Sequence, residues 1–147
     1  MERLLESWKR FMNEEERKDS EEVVKIVLHK DGKFLGLENE HDTFDLPGGH
    51  LHVGEEELKG LEREVKEETG LHIDCKDAEK ILTIQNTTFY ILQLPDQDIS
   101  LSDEHTGYKE VDMKKPEDYN LTGKYKKAVE KAKELLDDRQ DNKNTTA

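Results

Sequence analysis

Three glutamates, Glu64, Glu67 and Glu68, stand at i, i+3 and i+4 in a stretch whose apolar positions Leu58, Leu61 and Val65 recur with helical spacing. This pattern predicts a helix over Glu55–Glu68, with Gly70 in the usual stop position. One face of that helix would anchor it, and the other would gather three carboxylates. Like charges at such spacing destabilise a bare helix by roughly 0.2–0.5 kcal/mol per pair, so the cluster asks for a compensating cation. Carboxylate oxygens suit hard ions such as Mg²⁺ or Mn²⁺. A solvated Glu-rich face is the alternative that the helix alone leaves open.

Whether such a helix finds a core depends on how the apolar residues are distributed. Charged residues make up 40% of the 147-residue chain, apolar residues 32%, and the formal net charge is -13. Leu, Ile, Val and Phe together reach about 23%, just above the roughly 20% at which high net charge begins to mean disorder. The core must therefore be concentrated. Strands are predicted at Val23–Leu28 and Phe34–Leu37 around an Asp31-Gly32 turn, then at Ala78–Gln85, Thr88–Leu94 and Tyr108–Met113. A second helix is predicted over Lys124–Leu136. Strands and helices interleave, so the class is α/β or α+β, with helices packed on a mixed sheet. Before this domain, residues 1–20 read as an amphipathic helix, with Leu4, Leu5, Trp8, Phe11 and Met12 on one side, and a charged connector. That strip should pack on the domain or on a second copy of the chain, which makes a homodimer one expectation. Residues 137–147 read as a disordered polar tail.

Several functions are excluded at this level. No apolar run approaches the roughly 20 residues that span a bilayer, and Met1–Arg10 is too charged for a signal peptide, so a soluble cytoplasmic protein is expected. The lone Cys75 rules out an intramolecular disulfide and a cysteine-built zinc site, and it reads as a packing residue. The acidic balance argues against broad electrostatic binding to nucleic acid. A phosphorylated substrate would need a bridging cation.

The spacing around the acidic helix is more specific. Gly49, five residues, Glu55, seven residues and then Arg63-Glu64-Val65-Lys66-Glu67-Glu68-Thr69-Gly70-Leu71 resembles the complete signature of the Nudix hydrolases. Every fixed position is matched over 23 residues without a gap. A strand, a hairpin and Leu46-Pro47-Gly48-Gly49 precede the box; strands and a C-terminal helix follow it. The resemblance thus covers roughly residues 21–136 and implies the α/β/α Nudix fold, a mixed sheet sandwiched between helices.

Activity and site follow from the resemblance as expectations. Such proteins cut a pyrophosphate bond in a nucleoside diphosphate linked to another group, with Mg²⁺ or Mn²⁺. Glu64, Glu67 and Glu68 would be metal ligands, with the Gly49 carbonyl a further one and Glu55 near the metals or bridging through water. Arg63 would hold a box carboxylate in its rotamer. Gly48 and Gly49 would let the backbone approach phosphate. Glu104, in the loop Ser102-Asp103-Glu104-His105, is the candidate general base, with Glu110, Asp103 and the box glutamates Glu64 and Glu67 as competitors. Phe44 and Tyr90 are candidates for stacking on a base. His50 and His52 are not expected as ligands, because these metals are held by oxygen. Among substrates, a nucleoside triphosphate cut to monophosphate and pyrophosphate leads. Dinucleoside polyphosphates, a phosphorylated RNA end, a non-catalytic nucleotide sensor and an acidic helical adaptor are the alternatives.

Overall fold

The computed structural model describes residues 18–40, 43–115, 121 and 123–145, with side chains to Gln140. The apolar strip of residues 4–12 lies outside them. Seven strands and two helices run in the order β1 Asp19–Lys30, β2 Lys33–Glu38, β3 Phe44–Asp45, β4 Gly48–His52, α1 Glu57–Thr69, β5 Glu79–Ile84, β6 Thr87–Gln93, β7 Gly107–Asp112 and α2 Gly123–Thr145. A 3-10 turn at Cys75–Asp77 follows α1.

All strands join one mixed sheet. β1 lies parallel to β6, with Ile26 opposite Tyr90, and β6 is antiparallel to β5. On its other side β1 meets β2 only beside the hairpin turn, at His29–Phe34 and Lys30–Lys33. The two strands then part. β4 pairs with the first half of β1, with Lys25 opposite Gly48, while β3 pairs with the far end of β2. A wedge therefore opens between β1 and β2, and β3 and β4 line it. β7 covers the other side of β2 along its whole length.

The period-two pattern of the strands divides the core. Val24, Ile26, Leu28, Leu35, Leu37 and Tyr90 pack with Leu61 and Val65 under α1. Val27, Phe34, Phe89, Ile91 and Val111 pack with Ala128, Val129 and Ala132 under α2. The expected α/β/α sandwich is present. Gly70 closes α1 at φ 72, its N–H donating to the Lys66 carbonyl at 2.9 Å.

Three expectations need correction. Asp19 and Ser20, read as connector, open β1, because β4 offers them a partner at His52. β3 and β4 form between Phe34–Leu37 and the acidic helix, where no strand was predicted. Residues 137–145, read as a disordered tail, continue α2. Arg139 ties that extension to Glu79 of β5, and Lys133 pairs with Asp137 at 2.9 Å one turn on.

Candidate active site

The wedge holds a cleft of about 440 Å³ lined by acidic, basic and backbone groups, among them Lys25, Asp45, Gly48, Gly49, Glu64, Glu68, Glu104 and His105. Its floor is set by a close approach. Gly48 has φ 127, and a Cβ there would fall 2.1 Å from the Val24 carbonyl oxygen, so only glycine lets β4 lie this near β1. Gly49 follows against Glu64, where a Cβ would stand 2.6 Å from Oε2.

α1 supplies one wall. Its three glutamates do not share one environment: Glu67 is 58% exposed, Glu64 16%, and Glu68 is buried. Seven residues separate Glu68 from Leu61, so a helix turning 100° per residue brings the two within about 20° of each other. Glu68 thus borders the apolar stripe instead of facing away from it. Its Oε2 is buried without a hydrogen-bond partner among the described residues. Burial raises its pKa to about 8, with Asp45, Glu64 and Glu104 adding to the rise against the pull of Lys25. Burial raises Glu64 as well.

Arg63 binds three carboxylates at once. Its Nε and Nη2 grip Glu55 at 2.8 and 3.0 Å, and Nη1 donates to Glu64 and Glu67 at 3.1 Å each. Nη2 also donates to the His50 carbonyl. The fork holds the Glu55 carboxyl below its usual range and raises the Arg63 pKa further. Glu55 is fixed from the other side by the His52 N–H at 2.9 Å.

The opposite wall comes from the loop after β6. It docks on the end of α1 through Ser100 N–H to the Thr69 carbonyl (2.8 Å) and Ser102 N–H to the Glu68 carbonyl (3.0 Å). Glu104 reaches the cleft in this way, whereas Asp103 and Glu110 are exposed and not among its lining residues.

Lys25, Asp45 and His105 are among the cleft residues that the sequence reading did not single out. The ammonium of Lys25 donates to Asp45 Oδ1 and to the Leu46 and Gly48 carbonyls, each at 3.0 Å. Burial opposes its charge, yet Asp45 and Glu68 outweigh that cost and leave its pKa raised. The signal was present, since Lys25 is the one charge inside the apolar run Val23–Leu28. The stacking candidates, in contrast, do not reach the cleft. Tyr90 is buried under α1, its hydroxyl donating to Glu57. Phe44 packs on the α2 side of the core, against Gly36. His50 lines the cleft; His52 faces Asp19. Cys75 is buried, its thiol pushed up to about 12 by burial, as a packing residue would be.

Among the described residues, no three acidic, histidine or cysteine side chains are already gathered tightly enough to hold an ion. Arg63 engages Glu55, Glu64 and Glu67 instead. The donor set still fits a hard divalent cation. Glu68 carries a buried oxygen, unpartnered among the described residues, beside Glu64, and the bare Cα of Gly49 leaves their approach open.

Fold and box together define a Nudix domain. The family model described as NUDIX domain matches residues 8–135, so the chain belongs to the Nudix family. It is 35% identical over 104 residues to 111R of Invertebrate iridescent virus 3, whose name classes it provisionally as a hydrolase, covering 66% of this chain and 62% of that protein. It is 34% identical over 73 residues to a MutT-like protein of Streptomyces ambofaciens, covering 49% and 46%. The chain thus spans less than two thirds of either relative. The MutT protein of Methanosarcina mazei Go1 superposes with a TM-score of 0.59 at 26% identity, covering 74% of this chain and 88% of that one. An Ap4A hydrolase of C. elegans gives 0.64 at 20% identity, covering 78% and 98%; that likeness concerns the fold. No helix among the described residues is long and apolar enough to cross a membrane.

Proposed function

We propose that this Nudix protein is a metal-dependent pyrophosphohydrolase acting on a nucleotide-type substrate, foremost a nucleoside triphosphate cut to monophosphate and pyrophosphate. One observation carries the reading: Glu104 lines the same cleft as Glu64 and Glu68, from a loop far along the chain. Glu64, Glu67 and Glu68 would hold Mg²⁺ or Mn²⁺ with the Gly49 carbonyl, and Glu55 would support them at the edge. A divalent cation bound there supplies neutralisation of phosphate oxygens and a lowered pKa for water.

The chain's own groups do the rest. Arg63 keeps Glu55 fixed and holds Glu64 and Glu67 through hydrogen bonds of 3.1 Å. Gly48 and Gly49 let backbone reach the phosphates. Glu104, exposed on its loop, takes a proton from the attacking water. The test is a product screen, by chromatography of the nucleotides and pyrophosphate formed, over nucleoside triphosphates, dinucleoside polyphosphates, nucleotide sugars and capped RNA, with Mg²⁺, Mn²⁺ or EDTA. Pyrophosphate release from a triphosphate that EDTA abolishes and Mg²⁺ restores is expected. Activity surviving exhaustive chelation sinks the metal-dependent reading.

A further inference from the structure

We propose that Asp45 and His105 are a positioning pair which stations the Glu104 loop against the cleft, anchored through Lys25 to the central strand. Its kinetic consequence rests on the hydrolase reading above; its geometry does not.

Each ammonium proton of Lys25 has an acceptor at 3.0 Å: Asp45 Oδ1, the Leu46 carbonyl and the Gly48 carbonyl. Asp45 Oδ1 also accepts the Leu46 N–H at 2.8 Å. With that oxygen fixed by two donors, Oδ2 is turned toward His105, whose Nε2 lies 3.4 Å away. The His105 side chain is only 6% exposed. Its Nδ1 is buried with no hydrogen-bond partner among the described residues, so Asp45 is the polar anchor of the ring.

The backbone around His105 is tied at both ends. Ser102 N–H donates to the Glu68 carbonyl at 3.0 Å, and Thr106 N–H to the Glu38 carbonyl at 2.9 Å. Between these bonds stand Glu104 and His105. The imidazole joins this loop to the Gly48 wall, through Asp45 and Lys25. Such a buried polar chain is weak evidence for stability, because desolvation offsets most of its attraction and apolar groups would pack as well. Linking the two walls of a cleft is a use that apolar groups would not serve.

The arrangement dictates a tautomer. The Asp45 carboxylate can only accept, so the neutral ring carries its proton on Nε2. In Asp45→Asn the amide oxygen must face the Lys25 and Leu46 donors, which turns the NH₂ toward His105. An NH₂ cannot accept, so the ring proton should move to Nδ1. The test uses the full chain without metal: long-range ¹H–¹⁵N spectra of the histidine rings at about pH 8.5, above the ordinary imidazole range. The expected result is an Nε2-protonated His105 in the parent and an Nδ1-protonated ring in Asp45→Asn. A parent ring protonated on Nδ1, or a tautomer that Asp45→Asn leaves unchanged, overturns the pair.

Kinetics then ask whether the pair positions Glu104. At saturating Mg²⁺, His105→Ala should lower kcat about 10–100-fold, the usual scale for losing an orienting contact. KM and the Mg²⁺ requirement should stay within about twofold. His105→Gln keeps an N–H donor near the Nε2 position and should recover most of kcat, which also covers the case in which the alanine variant fails to fold. The double variant Asp45→Asn with His105→Ala should be no slower than the slower single. Parental kcat in His105→Ala, no recovery in His105→Gln, or effects that multiply would refute the positioning role. If the parent cleaves none of the substrates, the hydrolase reading fails, while the tautomer spectra still decide the pair.

Discussion

Arg63 makes more contacts with the box carboxylates than any other side chain, and its effect should be correspondingly specific. Four of its hydrogen bonds end on Glu55, Glu64 and Glu67. Replacing it with Ala should lower turnover about 10–100-fold with a smaller change in KM, because it orients ligands and does not grip the substrate. Steady-state kinetics on the substrate found in the screen would check this, and an unchanged turnover number would mean that the carboxylates are held otherwise. A second comparison separates two kinds of glutamate. Glu67→Gln should raise the Mg²⁺ requirement and cut turnover. Glu104→Gln should cut turnover at saturating Mg²⁺ by about 10²–10⁴-fold, the range for general-base help, with little change in the requirement. A Mg²⁺ titration of both variants beside the parent distinguishes them.

At the scale of elements, the end of α1 does two jobs. Gly70 stops the helix in the left-handed region at φ 72, and its Cα faces Ser100, where a Cβ would come within 3.3 Å of the serine Cβ. The same turn carries the Thr69 and Glu68 carbonyls that receive the Ser100 and Ser102 amides. Gly70→Ala should therefore destabilise the protein by about 1 kcal/mol or more through backbone strain, and loosen the Glu104 loop besides. Urea unfolding with an unchanged slope would report the first effect. Much of this element was legible beforehand: the apolar spacing gave α1, and Gly70 gave its end. β3 and β4 were not. They are two and five residues long and flank Pro47, so they carry no periodic signal of their own and form because β1 and β2 diverge and leave unpaired edges.

For the whole molecule, the burial of Glu68 couples stability to pH and to cations. A carboxyl with a folded pKa near 8 and an ordinary value of 4.5 binds a proton in the native state that the unfolded chain has released. Its contribution to stability is full below the ordinary value and is lost as pH rises through about 8. The thermal midpoint of the metal-free protein should thus fall more steeply from pH 5 to 8 than that of Glu68→Gln. Added Mg²⁺ should raise the midpoint at about pH 8 in the parent and much less in the variant, since a ligand stabilises only the state that binds it. Parallel pH curves for the two proteins would remove Glu68 from this role. The strip at Leu4, Leu5, Trp8, Phe11 and Met12 calls for a separate test, because it lies outside the described residues and is too apolar to be left in water comfortably. Deleting residues 1–17 should lower the thermal midpoint or change the mass seen by light scattering, and no change in either would make the segment a tether.

The sequence by itself determined the α1 helix, its acidic box, the interleaving of strands and helices and the family, because these rest on local periodicity and fixed spacing. The tertiary structure decided which acids face water and which do not. Helical spacing gives three glutamates on neighbouring positions; only the packing of α1 on the sheet makes Glu68 buried and Glu67 exposed. It also decided that Lys25, a single charge in an apolar strand, meets Asp45, twenty residues along the chain, and through it His105, sixty further on. Such contacts leave no trace in periodicity, since they depend on where β1 and β2 separate. The same separation opens the cleft that Glu104 lines, while the pairing of β6 with β1 sets Tyr90 under α1, because neighbours on a strand point to opposite faces and only the sheet's partners say which face is which.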